Sequence, residues 1–280
     1  MSPLVVAVVL AAAVMHAFWN ALLKGGGDRL RGIVVMSVAA SAACAPAAFI
    51  LPLPQTECWP LILLSAAIHV GYNLFLVKAY RYGDLGQVYP IARGFSPLLV
   101  TMGAAFFAGE RPDALTLLGI ALISAGILSL ARGWSEATSA AGISSAFATG
   151  LFIAAYTIND GLGGRLSGNP VSYAVWLFMI DGLPMPLLYW WTRGLSEPLV
   201  QADTETAKSV LGGLVSLIAY ASVIWAASIT PMGPVSALRE TSVVFAAFMG
   251  RIFLAERLTV GRLASCVAVA AGALVLQHRA

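Results

Sequence analysis

The sequence predicts an all-α integral membrane protein whose ten transmembrane helices form two inverted five-helix repeats. Three observations predict it: charge too sparse for a water-facing surface, apolar runs of spanning length, and a match of the chain to itself at a fixed offset. Of 280 residues, 59% are hydrophobic and 10% are charged, and the mean hydropathy is +0.86. A soluble domain carries about 25% charged residues to face water. Ten helices of about 20 residues use about 200, so no large soluble domain fits in the remainder.

The spans follow from apolar runs set between breakers, at about 3–23, 33–51, 60–79, 85–107, 114–131, 141–159, 170–191, 209–227, 233–254 and 260–277. The first run lacks a basic start and continues into Phe18, Trp19 and Asn20 where a signal peptide would carry small residues, so it reads as a spanning helix. The breakers are Gly25–Gly27 with Asp28, Pro52 to Pro60, Gly83-Asp84, Glu110–Asp113, Arg132–Glu136, Gly161–Pro170, Arg193–Lys208, Thr230–Gly233 and Glu256–Thr259. Short loops make neighbouring helices antiparallel. Backbone polar groups in hydrocarbon must be satisfied internally, and no segment alternates like a barrel strand, which leaves a helical bundle.

Sliding the chain by 146 residues pairs Arg93 with Arg239, Ser96 with Ser242, Phe107 with Phe253, Glu110 with Glu256 and Arg111 with Arg257. It also pairs Ala125 with Ala271, Gly126 with Gly272, Leu128 with Leu274 and Leu130 with Leu276. Arg and Glu are rare here, so their recurrence marks a duplication of 1–131 in 141–280. Five spans per half is an odd number, so the second half enters the membrane from the opposite side.

Gly109-Glu110-Arg111 and Ala255-Glu256-Arg257 each close a fourth span and precede an apolar fifth span bearing Gly126 or Gly272. Together with Trp19-Asn20 and Ala79-Tyr80-Arg81-Tyr82, this pattern resembles the EamA branch of the drug/metabolite transporter superfamily. The resemblance implies a secondary transporter of small metabolites that works without ATP, multi-pass in a bacterial inner (plasma) membrane. It also implies cytoplasmic termini. The Lys and Arg of the loops favour the opposite: about three, Arg111, Arg165 and Arg279, lie on the terminal side, against about ten on the other, including Lys24, Arg29, Arg31, Arg81, Arg132 and Arg193.

Charge within a span costs about 2.5–3.5 kcal/mol and needs a partner or a watery cavity. Arg93, between Pro90 and Pro97, and Arg239, after Pro231 and Pro234, lie at matched depths and are expected to face one central cavity. A guanidinium fork fits carboxylate or phosphate oxygens. The alternative is pairing with a protein carboxylate; Glu240 is adjacent to Arg239, but neighbouring helical residues diverge by about 100°. Lys78 is a further cationic candidate or an interfacial anchor. Trp19, Asn20, Tyr72, Asn73, Tyr89 and Tyr220 are candidate lining residues, and Trp190-Trp191 reads as an interfacial belt. His16, His69 and Asp181 are proton-coupling candidates, Asp181 also as a counter-ion to an arginine. Asp160 reads as a helix-end loop position, and Glu110 and Glu256 as caps and interface charges.

The leading expectation is a transporter of a small anion such as a carboxylate, phosphonate or phosphate ester, held by Arg93 and Arg239 with Lys78 assisting. An alternative is export of amino acids or amphipathic compounds with the arginines neutralised internally. A membrane enzyme is the alternative of another class, and the sequence carries no HExxH, P-loop or GxSxG motif for it; a scaffold would use the many Gly and Ala for close helix contact. No cofactor or metal is expected, because Cys44, Cys58 and Cys266 have no ligand spacing. No nucleic acid is expected, because basic clusters are absent. Monomer and homodimer both remain open.

Overall fold

The computed structural model describes residues 1–24, 28–83, 85–131, 139–194, 198–199, 201–253 and 259–277. The first repeat holds α1 (Pro3–Lys24), α2 (Arg29–Ile50), α3 (Trp59–Tyr82), α4 (Leu85–Phe107) and α5 (Ala114–Leu128). The second holds α6 (Ala140–Leu166), the pair α7 (Pro170–Asp181) and α8 (Pro184–Arg193), α9 (Thr204–Ile229), the pair α10 (Met232–Arg239) and α11 (Ser242–Phe253), and α12 (Val260–Gln277). No strand occurs among the described residues. Nine segments there are long and apolar enough to cross a membrane; α10 with α11 makes the tenth crossing. The protein is an all-α integral membrane protein, and large side chains such as Phe49, Phe106 and Trp191 point outward.

Caps set the boundaries. Asp28 accepts the Arg31 N–H at 3.1 Å and starts α2 at residue 29, ahead of the expected 33. Asp203 accepts the Thr206 N–H at 2.7 Å and starts α9 at 204, ahead of the expected 209. The seventh span breaks after Gly182, as Pro184 requires. Two expectations are corrected. The sixth span does not stop at 159: its Gly-rich stretch stays helical to Leu166. The ninth is not one helix: it turns at Glu240-Thr241, where the Thr241 hydroxyl takes the Leu238 carbonyl at 2.7 Å.

The repeats interlock. α3 packs on α6 as α1 packs on α9, and α5 lies along α12. The repeated glycines sit at that last contact. A Cβ on Gly272 would lie 2.7 Å from the Gly119 carbonyl oxygen, and one on Gly126 would lie 3.1 Å from that of Ser265. Ser129 and Ser265 share a 2.6 Å hydroxyl hydrogen bond across the seam. The duplication signal is therefore the signature of an interface between backbones. α6 also packs on α9, a contact far more extensive than that of their counterparts α1 and α3.

Charged groups tie the loop ends. Gly109, at φ +66, closes α4, and the Glu110 N–H reaches back to the Ala104 carbonyl at 3.2 Å. Glu110 thereby caps α10, accepting the Met232 N–H at 2.9 Å, and holds Arg165 of α6 at 2.5 Å. Arg165 also donates to the carbonyls of Ala227 and Thr230 that end α9. Glu256, Arg257, Arg132 and Arg279 lie outside the described residues, as do the side chains of Lys24 and Arg29. At the opposite face, Arg31 of α2 donates to Asp203 at 3.0 Å, to Thr206 at 2.5 Å and to the Leu199 carbonyl at 3.1 Å. The hydrogen bonds to Asp203 from Arg31 first, and then from the Thr206 N–H and hydroxyl, hold its carboxyl down at about 2.

Two measurements test this packing. Gly272→Leu should cost about 1–3 kcal/mol through overpacking, read as a lower thermal midpoint in detergent; an unchanged midpoint contradicts the seam. Asp203 has a folded value below its ordinary 3.8, so its contribution to stability is complete above that value and drains away as pH falls toward about 2. Asp203→Asn should flatten that acid limb of the stability profile, and an unaltered limb would show that Arg31 and Thr206 do not hold the carboxylate.

Candidate functional site

The charges buried between the repeats assemble around one carboxylate. Gly150 of α6 lies against the Ala92 carbonyl, with an added Cβ falling 2.8 Å away, so α4 is seated tightly next to Arg93. The Arg93 Nη1 donates to both carboxylate oxygens of Glu240 at 3.1 Å. Arg239 donates to the same carboxylate through Nε at 3.3 Å and Nη2 at 3.0 Å. Glu240 is 0% exposed, Arg239 3% and Arg93 5%. Charges this dry need a partner, and here two guanidiniums share one.

This corrects the expectation of two arginines facing an open cavity. Neighbouring residues point apart only while the helix continues, and α10 ends at Arg239, so Glu240 in the turn can fold back onto it. The triad carries one unit of excess positive charge. Arg93 also donates through Nη2 to His16 Nε2 of α1, and its guanidinium lies over the Tyr89 ring, 5.5 Å from the centroid. Trp19 meets His16 edge-on at 5.0 Å, and Asn20 donates to the His16 carbonyl at 2.8 Å. Three buried hydroxyls, Ser96, Ser236 and Ser242, have no hydrogen-bond partner among the described residues. Each lies three residues from Arg93 or Arg239, and a separation of three within α4 or α10 places Ser96 and Ser236 on the arginine faces.

A second polar group lies behind a wall of tyrosines. His69 of α3 stacks on Tyr156 of α6 at 4.4 Å, and Tyr72 and Tyr220 each meet Tyr156 edge-on at 5.8 Å. Tyr156 is itself buried at the centre of these ring contacts. Asp181 pairs with His69 at 3.9 Å and with no arginine among the described residues, at the end of α7 with 30% of its side chain exposed. Asp160 is not a loop residue. It is 1% exposed within α6 and accepts the hydroxyls of Tyr173 at 3.0 Å and Tyr220 at 2.5 Å.

Two candidates are placed elsewhere. Lys78 is exposed and lies over the Phe75 ring at 5.9 Å, away from the triad. Asn73 turns toward the Met185 sulfur of α8 at 3.8 Å. Trp190 is packed near Val34 and Tyr189 while Trp191 points outward. Sequence reasoning missed Asp160, Tyr156 and Tyr173 as site residues and had Glu240 only as a neighbour of Arg239. The one available signal was a carboxylate inside an apolar stretch.

The triad generates a direct test. Glu240→Gln keeps the shape and removes the shared charge, leaving two guanidiniums buried and unpaired. The expected cost is about 3–5 kcal/mol, seen as a lower thermal midpoint in detergent; a wild-type midpoint would show that the carboxylate does not carry this pairing.

Residues 3–132 and 140–277 each match the EamA-like transporter family. A multidrug transporter of Pseudomonas aeruginosa is 39% identical over 69 residues. That match covers 25% of this chain and 62% of the relative, so the relative as a whole is shorter than one half of this chain. A solved crystal structure shares the fold with a TM-score of 0.78 and 18% identity, over 98% of this chain and 99% of its own. Two matched segments, one per five-span repeat, account for nearly the whole sequence, and the chain belongs to the EamA-like transporter family, within the drug/metabolite transporter superfamily.

Proposed function

We propose that this protein is a secondary transporter of small amino-acid-like solutes in a bacterial inner membrane, working by alternating access between the repeats. One observation carries the reading: two guanidiniums share the single carboxylate of Glu240, so a dry interior holds a unit of unmatched positive charge. A substrate carboxylate is the natural complement to it. The unpartnered hydroxyls of Ser96 on α4 and Ser236 on α10 add donors on the same elements, and that of Ser242 adds one at the start of α11. Beside His69 and Tyr156, Asp181 offers a half-buried carboxylate to an amine, and Tyr72, Tyr89 and Tyr156 offer apolar and cation-binding faces to the body of the solute. A free dianion fits less well, because Glu240 already occupies both arginines.

The asymmetry of packing supports alternating access. α6 is drawn to α9 and latched by Glu110 and Arg165, whereas α1 and α3 make little contact. One membrane face is thus held shut while the equivalent helices at the other are apart, and exchanging the roles of the repeats exchanges the faces. A second reading, an amphipathic cation as cargo, is favoured by the tyrosine wall beside Asp181 and by the relative's name, multidrug transporter.

Counterflow into proteoliposomes separates these readings. With labelled phenylalanine as probe, unlabelled phenylalanine should compete at least tenfold better than phenethylamine or phenylpropionate, which each keep one charge. Preference for ethidium and phenethylamine would favour the cation reading, and preference for phenylpropionate or succinate would favour an anion. Absence of flux for every probe would contradict transport of this class of solute.

A further inference from the structure

We infer that Asp160 is the proton-binding carboxyl that couples transport to a proton gradient, an inference that rests on the transporter reading above. The side chain is 1% exposed, and its hydrogen-bond donors are all neutral: Tyr173 and Tyr220 through their hydroxyls and Asn159 through its amide at 3.4 Å. No ion pair reaches it among the described residues. An unpaired carboxylate in a dry span is costly, and the neutral acid is the alternative state of the same group. Arg93 and Arg239 pair with Glu240, and Arg165 pairs with Glu110, and none of these pairings extends to Asp160.

Every neighbouring element bears on this group. α7 supplies Tyr173 and ends at Asp181; α9 supplies Tyr220. α3 supplies His69, which meets the Tyr220 ring edge-on at 6.0 Å, and the turn before α3 places Cys58 in the apolar cluster with Tyr173. Arg93 of α4 and Arg239 of α10 act on Tyr156, one turn away on α6. Met232 of α10 closes over Gly161.

The other candidates serve a proton less well. His16 Nε2 receives a hydrogen bond from Arg93, which fixes that nitrogen as an acceptor. Asp181 is only partly buried, at 30% exposed, and already has His69 as its partner. Asp160 is sealed behind two hydroxyls and too enclosed for a solute. Proton and cargo therefore occupy different groups.

The proton comes from water at one face, becomes the O–H of the Asp160 acid, and returns to water at the other; no other bond is made or broken. The carboxylate accepts from both tyrosines. The acid must donate one hydrogen bond, so one tyrosine hydroxyl has to turn from donor to acceptor or let go. Tyr220 stands on α9, the helix latched to α6, so the protonation state of Asp160 acts on the contact that shuts one face.

Infrared difference spectra of the purified full chain, taken between acid and alkaline buffer without any cargo, test the site. A protonated carboxyl band should appear on acidification, vanish in Asp160→Asn, and persist with a moved midpoint in Tyr220→Phe. In proteoliposomes, an imposed pH gradient should drive at least tenfold accumulation of labelled phenylalanine with wild type and none with Asp160→Asn, which should still exchange labelled for unlabelled probe. A band that survives in Asp160→Asn, an unmoved midpoint in Tyr220→Phe, or gradient-driven accumulation by Asp160→Asn would each overturn the inference. Loss of flux in wild type with the infrared results intact would instead overturn the choice of cargo.

Discussion

The bundle turns on the cost of charge in a dry interior. Arg93 comes from the first repeat and Arg239 from the second, and both close on Glu240. A buried ion pair is weak evidence of net stability, because desolvation offsets much of the attraction. What it does impose is position. Once two guanidiniums are buried, the carboxylate must lie within about 3 Å of each, and the geometry of α4, α10 and the turn between α10 and α11 follows from that demand.

The second constraint is the fit between backbones where the repeats meet. Gly119 and Gly126 of α5 approach Gly272 and Ser265 of α12 so closely that a methyl group has no room. Lipid gives apolar helices little reason to prefer one another, so close contact supplies what hydrophobic burial supplies in water. At the membrane faces the work passes to capped and paired charges, Glu110 with Arg165 on one side and Arg31 with Asp203 on the other. The triad, the glycine seam and the latches act at different depths, and each joins the first repeat to the second.

Much of this was legible in the sequence because it depends on local rules. Runs of apolar residues gave the spans, Pro184 marked the break after α7, and the repeated Arg and Gly marked the core pair and the seam. Glu110 was readable as a cap. The break at Glu240-Thr241 was not, because neither Pro nor Gly announces it and its cause lies in side chains from α4 and α10. Asp160 was hidden by Gly161, Gly163 and Gly164, which resemble a helix end. In the fold they admit Met232, the Tyr173 ring and Ile224 against α6, and the helix runs on. Tyr156 and Tyr173 gained meaning only from tertiary neighbours.

The central claim is that Glu240 couples the repeats through Arg93, and a double-mutant cycle addresses it most directly. Thermal and denaturant stability of Arg93→Gln, Glu240→Gln and the double variant would be measured in one detergent. The expected result is non-additivity of about 1–3 kcal/mol, the range for residues in one buried network, with the double variant less damaged than the two single losses combined. Additive losses, within about 0.5 kcal/mol, would show that the two residues act independently and would contradict the claim.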